Sequence, residues 1–201
     1  MRYSVAPRGL FKWGANIFLF KFTTKPHKYF SMDFGAFIRD INDFPEKGIV
    51  FKDITPLLKS PEALNGAADA LYELVKENPI DKVVGVDSRG FIFAPLLATK
   101  LGAGFVPVRK VGKLPYKTAS QSYDLEYGTD TLEIHVDAIE KGEKVLIHDD
   151  VLATGGTAKA VCDLVEQLGG EIVQCNFLIH LGLLKGQEKL KKYEVSSLLT
   201  Y

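Results

Sequence analysis

The sequence predicts an α/β fold with a doubly wound, mostly parallel sheet. Three observations lead there. Short, nearly continuous apolar runs, such as KVVGV (82–86), KVLI (144–147) and EIVQCNFLI (171–179), have the composition of strands buried on both faces. Helical patterns alternate with them, as crossover helices between parallel strands require. Charged residues then gather where these runs end, at Asp87-Ser88-Arg89, Arg109-Lys110 and Asp149-Asp150, the edge at which such sheets bind ligands.

In chain order, DFGAFIRDI (33–41) carries Phe34, Phe37, Ile38 and Ile41 at helical spacing and predicts a helix. GIVFKDITPLL (48–58) predicts an extended segment that turns at Pro56. From Pro61 to Asn78, Leu64, Ala67, Ala68, Leu71, Leu74 and Val75 share one face. Pro61 opens that amphipathic helix and Pro79 lies just past its end. KVVGVDS (82–88) reads as a strand, RGFIFAPLLATKLG (89–102) as a helix and GFVPVRK (104–110) as a further strand. KVLIHDD (144–150) is the next strand. A helix near 157–168 follows, carrying Val161, Leu164, Val165 and Leu168 and stopped by Gly169-Gly170. EIVQCNFLIHL (171–181) is the last clear strand.

The 201 residues, 46% hydrophobic and 25% charged, suit a single domain with a real core. Basic and acidic residues number 25 each, which argues against a broad nucleic-acid or anionic-membrane surface. The balance is uneven, because residues 1–32 hold six basic residues and no acid. The division expected is therefore a basic leader over 1–31 and one domain over 32–201. The leader's IFLF patch is too short to span a bilayer, and Met32 reads like a natural start. An over-extended or poorly ordered leader is the expectation. An organelle-targeting segment or a genuine extra element are the alternatives. Cys162 and Cys175 fall in a predicted helix and a predicted strand and suggest neither a disulfide framework nor a metal pair. That places the protein in a reducing, cytoplasmic setting.

The most informative stretch is VLIHDDVLATGGTAKA (145–160). Ala153-Thr154-Gly155-Gly156-Thr157 leads directly from a strand into a helix. Glycines let backbone approach a ligand closely, and free N–H groups at a helix N-terminus favour a phosphate. Thr157 as a plain helix cap is the alternative. Asp149 and Asp150 shift the balance. Beside a phosphate two carboxylates are costly unless they have their own task, and carboxylates accept hydrogen bonds from vicinal sugar hydroxyls and stabilise positive charge on the sugar. A ribose 5-phosphate answers both halves. Neither G-x-x-x-x-G-K-[ST] nor GxGxxG occurs, which speaks against a nucleoside triphosphatase or dinucleotide reading.

This stretch resembles the ribose-phosphate signature of the type I phosphoribosyltransferases. DFPEKGIVFKDITPLL (43–58), GVDSRGFIFAPLLA (85–98), VRKVGKLPYKT (108–118), YDLEYGTDTLEIH (123–135) and LGLLKGQEKL (181–190) are similar to the adenine phosphoribosyltransferases of that family, in the family's order. The resemblance runs from Met32 to Tyr201. It implies the type I phosphoribosyltransferase fold with a small N-terminal hood over about 32–60 and a flexible lid over about 111–127. It implies transfer of the 5-phosphoribosyl group from phosphoribosyl pyrophosphate to adenine, giving AMP and pyrophosphate. It also implies a homodimer and Mg²⁺ bound mainly through pyrophosphate and ribose oxygens, with no certain direct protein ligand.

By the same resemblance, Asp149 and Asp150 hold the ribose hydroxyls and face an oxocarbenium-like transition state, while Ala153, Thr154, Gly155, Gly156 and Thr157 cradle the 5-phosphate. Asp87, Ser88 and Arg89 form the pyrophosphate loop, where the family often has a non-proline cis peptide, at the position between Asp87 and Ser88; the sequence alone does not show it. Arg89 supplies forked donors there; a surface arginine in a helix's first turn would otherwise be unfavourable. Arg109, Lys110 and Lys113 are pyrophosphate candidates, the alternative being a solvated basic face. Glu126 manages the proton at adenine N7 and the adjoining Tyr127 is a substrate-binding residue, the alternative for Glu126 being a surface charge at a hairpin. Phe51 stacks on the purine, and the backbones of Val50 and Lys52 read its Watson–Crick edge, unless Ile49, Val50 and Phe51 are ordinary core. Lys52 stands where many members have arginine, which weakens a side-chain role and leaves a backbone role intact. His148, His180 and the cysteines are read as structural. Two rivals stay open: the same fold acting on xanthine, hypoxanthine or orotate, and a non-catalytic sensor of phosphoribosyl pyrophosphate.

Overall fold

The computed structural model describes residues 32–124 and 129–201. A seven-stranded sheet forms its centre. In chain order the elements are β1 (Arg39–Asn42), β2 (Val50–Asp53), α1 (Thr55–Lys59), α2 (Pro61–Glu73), β3 (Lys82–Val86), α3 (Gly90–Leu101), β4 (Gly104–Lys110), β5 (Thr118–Asp124), β6 (Thr129–His135), β7 (Lys144–Leu152), α4 (Gly156–Gln167), β8 (Glu171–His180) and β9 (Val195–Thr200). Across the sheet the order is β5-β6-β4-β3-β7-β8-β9, while β1 and β2 form a separate ribbon. Strands β4, β3, β7, β8 and β9 run parallel; β5 and β6 are antiparallel additions at one edge.

The parallel strands are buried on both faces. Val83, Leu146 and Leu178 pack under α2 and α3 with Leu71, Phe93 and Leu97. Their sequence neighbours Val84, Ile147 and Phe177 pack under α4 with Val161, Leu164 and Val165. Alternate residues of one strand therefore feed two cores, which is why the strands read as unbroken apolar runs. The exception is a polar chain within the first core. His148 Nδ1 lies 3.0 Å from Asn176 Oδ1, Asn176 Nδ2 donates to Ser196 Oγ at 3.3 Å, and Ser196 Oγ donates to Gln174 Oε1 at 2.9 Å. Burial lowers the His148 pKa to about 4 and keeps the ring neutral. Cys162 and Cys175 are buried free thiols with sulfurs 3.7 Å apart.

Several expectations need correction. The helix over 33–41 is a single 3₁₀ turn, Phe34–Phe37, capped by the Asp33 carboxylate, followed by β1. Apolar spacing there loses to cross-strand pairing. Arg39 faces Asp53 and Asp40 faces Lys52 across the ribbon, with ion-pair distances of 3.2 and 2.7 Å. Pro56 does not turn the chain but sits in the first turn of α1, where its missing N–H costs nothing. Asp53 prepares that start by accepting from Thr55 N–H at 2.9 Å and from its hydroxyl at 2.8 Å. Helix α2 ends at Glu73, short of Asn78. EIVQCNFLIHL is not the last strand, since β9 follows it. Of the lid expected over 111–127, Thr118–Asp124 is a strand paired along its whole length with β6. That stretch is polar because β5 is an edge strand, with Ala119 buried in the core and Tyr123 packed against it.

The chain crosses from β3 to β4 on one side of β3 and later enters β7 on the other. The sheet's switch point thus lies between β3 and β7, whose carboxyl ends diverge to leave a crevice. Among the described residues, no helix is long and apolar enough to cross a membrane.

Candidate active site

A cleft of about 280 Å³ opens at this switch point, lined by Val86, Asp87, Ser88, Arg89, Lys110, Tyr123, Leu132, Asp149, Asp150 and Thr157. Three strand ends build it. β3 delivers Asp87 and Ser88, joined by a cis peptide, and runs through Arg89 into α3. β4 delivers Arg109 and Lys110. β7 continues through Asp149 and Asp150 into the turn that opens α4.

The carboxylates are hemmed in. Asp150 is 4% exposed, and Asp149 accepts the Asp150 backbone N–H on Oδ1 at 2.8 Å. Burial raises the Asp149 pKa well above the ordinary carboxylate value, and the Asp150 charge adds to it. Burial also raises Asp150, opposed by the nearby Arg89 guanidinium. Arg89 Nε stands 2.9 Å from Asp150 Oδ2, yet that buried oxygen accepts no aligned hydrogen bond among the described residues. The pair is an ion contact without hydrogen-bond geometry. A carboxylate that is desolvated and incompletely paired interacts strongly with any cation or hydroxyl brought to it.

Arg89 has a second neighbour: its guanidinium lies 4.8 Å from the ring centroid of Phe51, which meets Phe44 edge-on at 5.2 Å. Arg89 thereby joins the β1–β2 ribbon to the carboxylates. Arg109 Nε is held by Asp87 Oδ2 at 2.9 Å, and its Nη1 donates to the Lys113 carbonyl at 3.3 Å. Lys110 pairs with Asp130 at 2.8 Å, and that hydrogen bond raises its pKa, so it stays cationic. The loop beyond is tied down by Glu133, which accepts from Gly112 N–H at 2.9 Å and from the Thr118 hydroxyl at 3.2 Å.

The turn at α4 fits an anion. Gly155 takes φ +76° at the N-cap, no side chain caps the helix, and α4 begins at Gly156. The first amides of α4 are thus left for a ligand, with the positive end of the helix dipole behind them.

Of the residues singled out in the sequence, Asp87, Ser88, Arg89, Lys110, Asp149, Asp150 and Thr157 meet in one cleft, and Ala153, Thr154, Gly155 and Gly156 form the adjoining turn. Arg109 is held by Asp87, and Lys113 meets Arg109 through its carbonyl. On the ribbon, Phe51 faces Arg89 and Val50 is exposed. The Lys52 ammonium turns away to Asp40 at 2.7 Å and to the Tyr201 ring at 4.0 Å. Glu126 and Tyr127 lie outside the described residues. Sequence reasoning missed Asp130, Glu133, Tyr123 and Leu132. All four sit in the quoted YDLEYGTDTLEIH motif, but only the antiparallel β5 and β6 bring them beside β4 and the cleft.

Residues 53–199 match the family model for the phosphoribosyl transferase domain. The chain is 61% identical over 170 residues to the adenine phosphoribosyltransferase of Christiangramia forsetii, covering 85% of this chain and 99% of that protein. It is similar to the crystal structure of adenine phosphoribosyltransferase from Rhodothermus marinus, with a TM-score of 0.80 and 57% identity over 84% of this chain and 96% of that one. The Saccharomyces cerevisiae enzyme, complexed with D-2,5-dideoxy-2,5-imino-altritol 1,6-bisphosphate and adenine, matches with a TM-score of 0.78 and 43% identity, over 82% of this chain and 96% of that one. With paired carboxylates and a glycine-rich helix N-terminus meeting at the switch point, and with these relatives along most of its length, the chain belongs to the phosphoribosyltransferase family, among its adenine phosphoribosyltransferases.

Proposed function

We infer that this protein transfers the 5-phosphoribosyl group from phosphoribosyl pyrophosphate to adenine, giving AMP and pyrophosphate in purine salvage. The observation that carries the reading is the adjacency of two desolvated carboxylates, Asp149 and Asp150, to the uncapped N-terminus of α4. Few ligands need a phosphate cradle and two hydroxyl acceptors at that separation; a ribose 5-phosphate does.

In the mechanism that follows, the turn Ala153–Thr157 holds the 5-phosphate. Asp149 and Asp150 accept the 2- and 3-hydroxyls. As the bond from the anomeric carbon to the pyrophosphate oxygen breaks, its electron pair leaves with pyrophosphate and positive charge grows on the sugar. The carboxylates face that charge and stabilise it electrostatically, without a covalent enzyme intermediate. Arg89, Lys110, Arg109 and Lys113 receive the departing anion. Adenine N9 attacks the same carbon, and Glu126, beside Tyr127, takes part in relieving the ring of its extra proton. Phe51 offers its face to the purine. The main chain of Val50 and Lys52 reads the N1 and N6 edge, which leaves buried groups unpaired against a 6-oxopurine. The engagement of the Lys52 ammonium with Asp40 and Tyr201 supports a backbone role.

Among the described residues no cluster of three or more His, Cys, Asp or Glu side chains fits a metal ion. We take Mg²⁺ as part of the substrate, carried by pyrophosphate and ribose oxygens, its usual manner of binding. We take residues 32–60 as a hood and 111–127, of which Thr118–Asp124 forms the edge strand β5, as a lid anchored at Glu133. The working unit is a homodimer in the cytoplasm, and the exposed Ile41, Phe44 and Ile49 of the ribbon provide apolar surface for a partner copy.

The test is product formation from phosphoribosyl pyrophosphate and Mg²⁺ with adenine, hypoxanthine, guanine, xanthine and orotate in parallel. Turnover with adenine alone is expected. Turnover with another base would overturn the base assignment. Binding of phosphoribosyl pyrophosphate without turnover would identify a sensor instead.

A further inference from the structure

The segment Leu181–Leu190 follows β8 and has no part in the mechanism above. It folds as two short 3₁₀ turns, Gly182–Leu184 and Gly186–Leu190, joined at Lys185 with φ +53°. Both ends are anchored: Gly182 N–H donates to the Tyr201 carbonyl at 2.8 Å, and Leu190 is buried in the core beneath α4. Between these anchors the main chain of Gly186 lies directly on the turn that opens α4. A Cβ on Gly186 would stand 2.1 Å from the Ala153 carbonyl oxygen and 2.8 Å from the Gly155 nitrogen. A Cβ on Gly155 would stand 2.4 Å from the Gly186 carbonyl oxygen. Gly186 is not among the glycines with positive φ, so proximity, not backbone dihedral, demands glycine there.

We propose that Gly186 is a positioning residue for the 5-phosphate site, its main chain acting as the buttress that holds the Ala153–Gly156 turn in shape. The inference rests on the reading that this turn cradles the 5-phosphate. A turn whose amides must converge on a ligand, and whose helix no side chain caps, keeps its shape only by external support. Two backbones in direct contact are stiff support, because no rotatable side chain lies between them. A methyl group at position 186 must push the turn by about 1 Å to reach ordinary contact distance, and displacements of that size cost on the order of 100-fold where geometry is tight. The atoms nearest that Cβ belong to Ala153 and Gly155 of the turn, so the loss falls on ligands that carry the 5-phosphate.

Gly186→Ala tests this with three readings: KM for phosphoribosyl pyrophosphate, Kd for AMP, and KM for adenine at saturating phosphoribosyl pyrophosphate. The first two are expected to rise by at least about 30-fold and adenine KM to stay within about threefold, with the thermal midpoint only a few degrees lower. Two variants in the same segment separate positioning from stability. Leu183→Ala, at an exposed residue, is expected to change nothing. Leu190→Ala is expected to lower the midpoint and leave both KM values near wild type. A Gly186→Ala enzyme with wild-type KM for phosphoribosyl pyrophosphate, or equal losses for adenine and phosphoribosyl pyrophosphate, overturns the proposal. If the variant does not fold, hydrogen exchange on wild-type protein decides. AMP should protect residues 154–158 and 186–188 together, and protection confined to 154–158 overturns the proposal. Wild-type protein that neither turns over nor binds phosphoribosyl pyrophosphate would instead sink the functional reading, and would be seen before any variant is made.

Discussion

Asp150 carries the sharpest chemical demand of any single residue. Its charge is held in a desolvated position that the free protein does not fully pair, a cost that the mechanism proposed above repays when positive charge develops opposite it. Asp150→Asn is expected to lower kcat by about 100-fold or more, the range lost with a single electrostatic stabiliser. The fold should stay intact and the thermal midpoint should not fall, because a neutral amide is easier to bury than an incompletely paired carboxylate. Full activity in that variant would remove the transition-state role. Arg89 makes a different prediction. Burial pushes the Asp150 pKa up and Arg89 pulls it down, so Arg89→Met should let it rise further. The acid limb of the kcat/KM profile for phosphoribosyl pyrophosphate should then move to higher pH, beyond the loss of affinity for the pyrophosphate group. An unmoved limb would mean that Arg89 acts on the leaving group alone. Lys52→Met should leave the preference for adenine over hypoxanthine unchanged, as assayed by product ratios from a mixture of the two bases. A change in preference would transfer base reading from backbone to side chain.

Among the elements, the β4–β6 edge does more than extend the sheet. Strand β6 places Glu133 where its carboxylate grips both Gly112 and Thr118, closing the intervening loop at its base. A lid over a reactive sugar cation must exclude water when closed, and a loose base defeats that. Glu133→Ala is expected to raise hydrolysis of phosphoribosyl pyrophosphate to ribose 5-phosphate relative to AMP formation. The ratio is measurable from the two products in one reaction, and an unchanged ratio would show that Glu133 has no part in water exclusion. The ribbon and α1 work similarly, with the Asp53 carboxylate tying Arg39 and Thr55 together so that Phe51 faces Arg89.

Over the whole molecule, the buried polar chain from His148 through Asn176 and Ser196 to Gln174 links β7, β8 and β9 beneath α2. It makes acid stability a property of the sheet. The folded His148 titrates near pH 4 and the unfolded one near its ordinary 6.5. Between those values the unfolded chain binds the extra proton. The contribution of His148 is therefore complete above about pH 6.5 and is lost as pH falls towards 4, at up to about 1.4 kcal/mol per pH unit. Asp149 and Asp150, with raised values, act in the opposite sense, so the difference between variants is the clean quantity. Thermal midpoints measured from pH 7 to 4.5 should fall less steeply for His148→Leu than for wild type, although that variant starts lower because Asn176 loses its partner. Parallel slopes would show that His148 is not the titrating group.

The sequence by itself determined the alternation of strands and helices, the pair of carboxylates at the end of β7 and the glycine turn behind them. Each of these is written in consecutive residues: apolar period, propensity, and the demand of a helix N-terminus for free amides. It also carried enough of the family's motifs to indicate the reaction. Only the tertiary structure decided that 33–41 bends into a ribbon strand, that 118–124 is an edge strand and that β9 closes the far side, since pairing partners outweigh weak local patterns. It alone brought Arg89 between Phe51 and Asp150, and Gly186 onto Gly155. Those contacts join residues dozens of positions apart, and their energy depends on a desolvation and a closeness of approach that no local stretch of chain specifies.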